Sequence, residues 1–104
     1  MSFLLLHGAG LGKWIWDDVR PLLKKESRAI ERPDSNPVEW SGIPESIAIT
    51  YVKLLNDASV ALKVQNRMIK RVRAQHVSMI DSGHLPMISQ PARLAEILNA
   101  SVAI

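Results

Sequence analysis

A short apolar run, Phe3-Leu4-Leu5-Leu6, stops at His7 and passes through Gly8, Gly10 and Gly12 into an amphipathic stretch that opens near Trp14. Consecutive apolar residues bounded by turn signals read as a strand covered on both faces, and strands of that kind belong to parallel sheets. Glycines directly after such a strand remove Cβ atoms where the chain turns sharply and where backbone N–H groups can face a ligand. A strand, a glycine turn and a helix therefore make a unit against which the remainder of the chain has to pack.

Downstream, Asp17 and Asp18 stand where a helix would begin, Pro21 fits its first turn, and Val19, Leu22 and Leu23 give the buried stripe. Trp14 and Trp16 flank the entry as anchors. Ser27 to Glu31 reads as a short, half-polar second strand suited to an edge. From Arg32 to Glu45 the periodicity collapses among Pro33, Pro37, Gly42 and Pro44, so residues 33–47 read as a long loop or a deletion junction. Order returns with Ile49 to Leu55, β-branched and aromatic, a third strand that ends at Asn56-Asp57. A helix over Ala61 to Arg73 turns Leu62, Val64, Met68, Ile69 and Val72 inward. His76 to Ile80 is a fourth strand, followed by Asp81-Ser82-Gly83-His84. The last helix takes Ser89 as N-cap and Pro91 in its first turn, with Leu94, Ile97, Leu98 and Val102 as its buried stripe.

Strands alternating with helices predict one α/β domain over residues 1–104, a three-layer sandwich with a small, mostly parallel four-stranded sheet and helices on both faces. Right-handed crossovers favour the strand order 2-1-3-4. Ligands bind beyond the carboxyl ends of such strands, where the order reverses. That crevice lies between the His7–Gly12 turn and Asp57, and His84 opens onto the same edge.

Composition removes several function classes. The chain has no cysteine, so disulfides and thiolate metal sites are excluded, and its three histidines show no paired ligand spacing. Neither a metal nor a cofactor is expected. A formal net charge of +3 does not argue for nucleic acid, and the basic face of Lys63, Arg67, Lys70 and Arg71 comes without a recognition motif. Gly8-x-Gly10-x-Gly12 matches neither phosphate-binding glycine pattern. No apolar run approaches the ~20 residues of a membrane span, and the N-terminus lacks the build of a signal peptide. A cytoplasmic protein with no nucleic-acid or membrane partner is the expectation.

Three polar features converge on one end of the sheet: the glycine turn, Asp57 and His84. A carboxylate that orients an imidazole, with backbone N–H donors nearby, is the skeleton of an acyl-transfer site.

The opening Phe3 to Gly12, with Trp14, Trp16 and Leu22, resembles the start of α/β-hydrolase family proteins, in the branch that holds methylesterases and hydroxynitrile lyases. Asn56-Asp57, Val64-Gln65, Asp81-Ser82-Gly83-His84-Leu85-Pro86-Met87 and Ser89-Gln90-Pro91 resemble that family's C-terminal portion. The resemblance implies that His84 is the catalytic histidine, that Asp57 is its acid and that the Ala9 N–H is one oxyanion donor. It implies a structural His7. Leu85 stands where the lyases of the branch have a lysine, which favours ester hydrolysis.

The chain departs from the family at its centre. No serine has glycines at both positions two away, so the Gly-x-Ser-x-Gly nucleophile elbow is absent. The strands around that elbow and the cap segment are missing between Pro33 and Ile47. Ser82, two residues before His84, and Ser59, two after Asp57, are the candidate replacement nucleophiles; water activated by the His84–Asp57 pair is the other route. The expectation is weak, promiscuous hydrolysis of small-molecule esters. The alternative is a non-catalytic hydrolase fragment that folds and self-associates. Loss of central strands uncovers apolar surface, so a homo-oligomer is expected, with Trp40 a candidate contact.

Overall fold

A computed structural model describes residues 2–6, 11–31 and 47–102. In chain order the elements are β1 (Ser2–Leu6), β2 (Glu26–Ile30), β3 (Thr50–Leu54), α1 (Leu62–Arg71), β4 (His76–Ile80), α2 (Pro86–Ser89) and α3 (Pro91–Ser101). Two 3-10 helices, Lys13–Trp16 and Arg20–Leu22, lie between β1 and β2. The protein is a small α/β chain that divides into two compact units, Met1–Asn36 with Met87–Ile104, and Pro37–Pro86.

In the first unit β1 pairs in parallel with β2, from Ser2 opposite Glu26 to Leu6 opposite Ile30. A tight turn cannot connect parallel neighbours, so the chain needs a crossover. That crossover is not the α-helix expected after Asp17 and Asp18. The Ile15, Asp17, Val19 and Leu22 N–H groups donate to the Gly12, Trp14, Trp16 and Val19 carbonyls, each bond spanning three residues. Pro21 has no N–H to give the Asp17 carbonyl, a bond that an α-helix through this stretch requires. The change of winding also changes the buried face. Ile15 and Val19 are fully buried, whereas Leu22 is exposed. Trp14 is also exposed, its indole lying against Gly12.

The rest of this core comes from Leu5 on β1 and from Leu94, Ala95 and Ile97 on α3. Asn99 ties α3 to the crossover: its amide oxygen accepts the Lys24 N–H at 2.9 Å and its amide nitrogen donates to the Leu22 carbonyl at 3.1 Å. Ser89 is not the cap of α3. It ends α2, and Gln90 takes the cap position with Pro91 in the first turn, where a missing N–H costs nothing.

The second unit is a β-α-β crossover. β3 pairs in parallel with β4, from Thr50 opposite His76 to Leu54 opposite Ile80. Between them the inward positions are Gln65 and Ile69 of α1 and Val72 directly after it, at spacings of four and three. The expected stripe is corrected here: Leu62, Val64 and Met68 are exposed, and the one buried residue of α1 is Gln65. Its side chain takes the place of a strand neighbour at the end of β3. Gln65 Oε1 accepts the Leu54 N–H at 2.8 Å, and Nε2 donates to the Leu54 carbonyl at 2.8 Å and the Val60 carbonyl at 2.9 Å. The helix closes in a Schellman turn, with Ala74 N–H on Ile69 C=O, Arg73 N–H on Lys70 C=O, and Arg73 in the left-handed region at φ 55°.

The expected order 2-1-3-4 contains the 2-1 and 3-4 neighbours, and both are present as parallel pairs. Among the described residues the ladders form two two-stranded sheets, β1-β2 and β3-β4. On β3 the backbone groups of Leu54 that point away from β4 are already bonded to Gln65. No helix of the described residues is long and apolar enough to cross a membrane.

Candidate active site

Parallel pairing brings the carboxyl ends of β3 and β4 side by side, so the turns that follow them also meet. Two backbone bonds stitch those turns together: Leu55 N–H donates to Ile80 C=O at 3.1 Å, and Asn56 N–H donates to Ser82 C=O at 3.0 Å. Asp57 and His84 project from the two stitched segments. Residues twenty-seven apart in sequence are thereby brought into contact, with Asp57 Oδ2 2.8 Å from His84 Nδ1.

The environments of the two side chains differ sharply. The Asp57 side chain is 2% exposed and the His84 side chain 53% exposed. Asp57 uses both oxygens: Oδ1 accepts the Ser59 N–H at 2.7 Å and the Val60 N–H at 2.9 Å, which leaves Oδ2 for the imidazole. Burial pushes the Asp57 carboxyl up. The hydrogen bond from His84, the Val60 and Ser59 N–H groups and the His84 charge together outweigh that push and hold it below its ordinary value. Partial burial, with the same negative charge added to it, raises the Tyr51 hydroxyl.

A carboxylate can only accept, so His84 Nδ1 carries the proton in this contact, and in the neutral ring Nε2 keeps a lone pair. The carboxylate fixes the ring and compensates the imidazolium when Nε2 takes a proton, while half the ring remains open to water. This is the geometry of a general base oriented by a buried acid.

The other site residues fall less centrally. Ser59 meets the pair through its backbone N–H on Asp57 and is exposed. Ser82 is buried at 4% exposure, and its hydroxyl donates to the Gly83 carbonyl at 3.2 Å. Ala9, with His7, Gly8, Gly10 and Trp40, lies outside the described residues. Among the described residues no group of three or more His, Asp and Glu side chains could hold a metal ion.

Two supporting residues have no role in the sequence reading. Gln65 fixes the last residue of β3, three positions before Asp57, and a lone glutamine inside an apolar helical stripe is the signal that could have found it. Asn56, beside Asp57, donates its side-chain amide to the Asp81 carboxylate. Comparison with protein-family models, with curated proteins and with solved structures finds no match.

Proposed function

We propose that this chain is a weak, promiscuous carboxylic-ester hydrolase of a minimal α/β-hydrolase type. The observation that supports this most is the 2.8 Å contact between a buried Asp57 and an exposed His84. In the reaction, His84 Nε2 takes a proton from water as the water oxygen bonds to the ester carbonyl carbon. The tetrahedral intermediate then collapses, the carbon–alkoxide bond breaks, and the imidazolium returns its proton to the leaving alcohol. Asp57 stays ionised and holds the charged ring throughout. A positioned base of this kind contributes ~10²–10⁴-fold. The buried, carbonyl-bonded Ser82 hydroxyl favours water over that serine as the nucleophile.

The single parallel sheet in the order 2-1-3-4, a cytoplasmic setting and homo-oligomerisation belong to the same proposal. The reading is tested by turnover of p-nitrophenyl acetate with wild-type protein and His84→Ala, together with fluorophosphonate labelling. Loss of turnover in the variant and absence of a labelled serine support a water mechanism; equal turnover overturns the catalytic role.

A second reading, a non-catalytic hydrolase fragment that self-associates, is favoured by one observation. Leu4 and Leu6 on β1 and Val77 and Met79 on β4 are exposed on strands of parallel pairs, a class that ordinarily has both faces covered. A stable oligomer in light scattering, with no hydrolysis above buffer, supports it.

A further inference from the structure

We infer that Asn56 and Asp81 form a positioning clamp that sets the geometry of the His84–Asp57 pair, an inference that rests on the hydrolase reading for its catalytic consequence. Asn56 is the residue before Asp57, and Asp81 lies three before His84. The Asn56 side-chain amide donates to Asp81 Oδ1, while the Asn56 backbone N–H donates to the Ser82 carbonyl at 3.0 Å. One residue thus holds the segment that follows β4 at two successive positions, Asp81 through its carboxylate and Ser82 through its carbonyl. The His84 imidazole sits at the end of that segment.

Asp57 is fixed independently, since its Oδ1 is held by the Ser59 and Val60 N–H groups. The His84 side chain is half exposed, and among the described residues its polar partner is Asp57 itself. Once the β4 ladder ends at Ile80, the path of the backbone to His84 depends on what holds Asp81 and Ser82. An amide donating to a carboxylate is a charge-assisted bond, stronger than a neutral pair. It is therefore suited to fixing a short exposed turn. Both residues are exposed and neither touches the reacting atoms, so they position the base and are not catalytic residues.

The test exchanges the partners. Asn56→Asp sets two carboxylates against each other, Asp81→Asn removes the charge assistance, and Asn56→Asp with Asp81→Asn restores an amide–carboxylate pair in the opposite direction. Two readouts are taken. The nitrogen chemical shifts of His84 report its tautomer without any need for activity, and p-nitrophenyl acetate turnover reports the consequence for the reaction. In wild-type protein the imidazole is held as the Nδ1–H tautomer. In Asn56→Asp the two tautomers mix and kcat falls about tenfold with KM little changed, the size expected for loss of a hydrogen bond to a charged group. The double exchange returns the tautomer to the wild-type state and kcat to within about threefold of it.

A wild-type tautomer in Asn56→Asp overturns the clamp, as does a double exchange no better than the single variant. If wild-type protein does not hydrolyse esters at all, the hydrolase reading fails while the tautomer readout still decides the clamp.

Discussion

Replacing Gln65 with leucine probes the joint between α1 and β3 that sets where Asp57 begins. The side chain is 1% exposed and makes three hydrogen bonds, all to backbone atoms of Leu54 and Val60. A net ~1 kcal/mol for each gives about 3 kcal/mol lost. Greater apolar burial by leucine returns ~1 kcal/mol, since the packing around a polar side chain does not fit it fully. Leu54 is half-buried, so water satisfies part of what the amide leaves behind. The net expectation is a loss of about 2 kcal/mol, a sizeable part of the ~5–15 kcal/mol that holds a domain folded. Gln65→Glu keeps the acceptor for Leu54 N–H but removes both donated bonds and buries a charge, so it is the more damaging change. Hydrogen exchange at the Leu54 amide is the direct assay, and a 2 kcal/mol loss accelerates it about thirtyfold. An unchanged Leu54 exchange rate, or a leucine variant more stable than wild type, refutes the role assigned to this side chain.

Three further outcomes follow from the packing and the charges. Ile15→Ala empties a fully buried position in the first 3-10 helix and should cost ~2–5 kcal/mol in urea denaturation. Gly12→Ala places a Cβ 2.7 Å from Trp14 Cδ1 and 2.9 Å from its Nε1. The exposed indole has to swing away, which changes the tryptophan emission and costs about 1 kcal/mol. Asp57 has its carboxyl below the ordinary 3.8 in the folded chain, so its contribution to stability is complete above that value and is lost as pH falls through the lower folded value. The stability gap between wild type and Asp57→Asn should therefore narrow on acidification in that window, as read from urea midpoints; a gap independent of pH contradicts the assignment.

Much of the architecture was legible because it depends on local pattern. The β-branched and aromatic run from Ile49 to Val52, the apolar run from Phe3 to Leu6 and the proline at the start of α3 each state their own structure. The first crossover is not legible in the pattern because its apolar stripe runs through Pro21, where a missing N–H changes the winding. The face of α1 is hidden for a different reason. Periodicity ranks Leu62, Val64 and Met68 above Gln65, yet the end of β3 presents backbone donors and acceptors that only a polar side chain can meet. The Asp57–His84 contact was legible as two residues ending successive parallel strands. The Asn56–Asp81 bond was not, because a turn-forming Asn and Asp carry no mark of each other in sequence. Joining the strands into one sheet is a long-range property that no local pattern encodes.

An exposed imidazole reacts with p-nitrophenyl acetate on its own, so histidine dependence alone does not establish an oriented base. The decisive measurement is turnover of that ester at neutral pH by wild type, His84→Ala, Asp57→Asn and His76→Ala, where His76 is an exposed histidine at the start of β4. An oriented base requires at least a tenfold loss in both His84→Ala and Asp57→Asn, and wild-type turnover in His76→Ala. Asp57→Asn within about twofold of wild type, or equal rates for the two histidine variants, would contradict it.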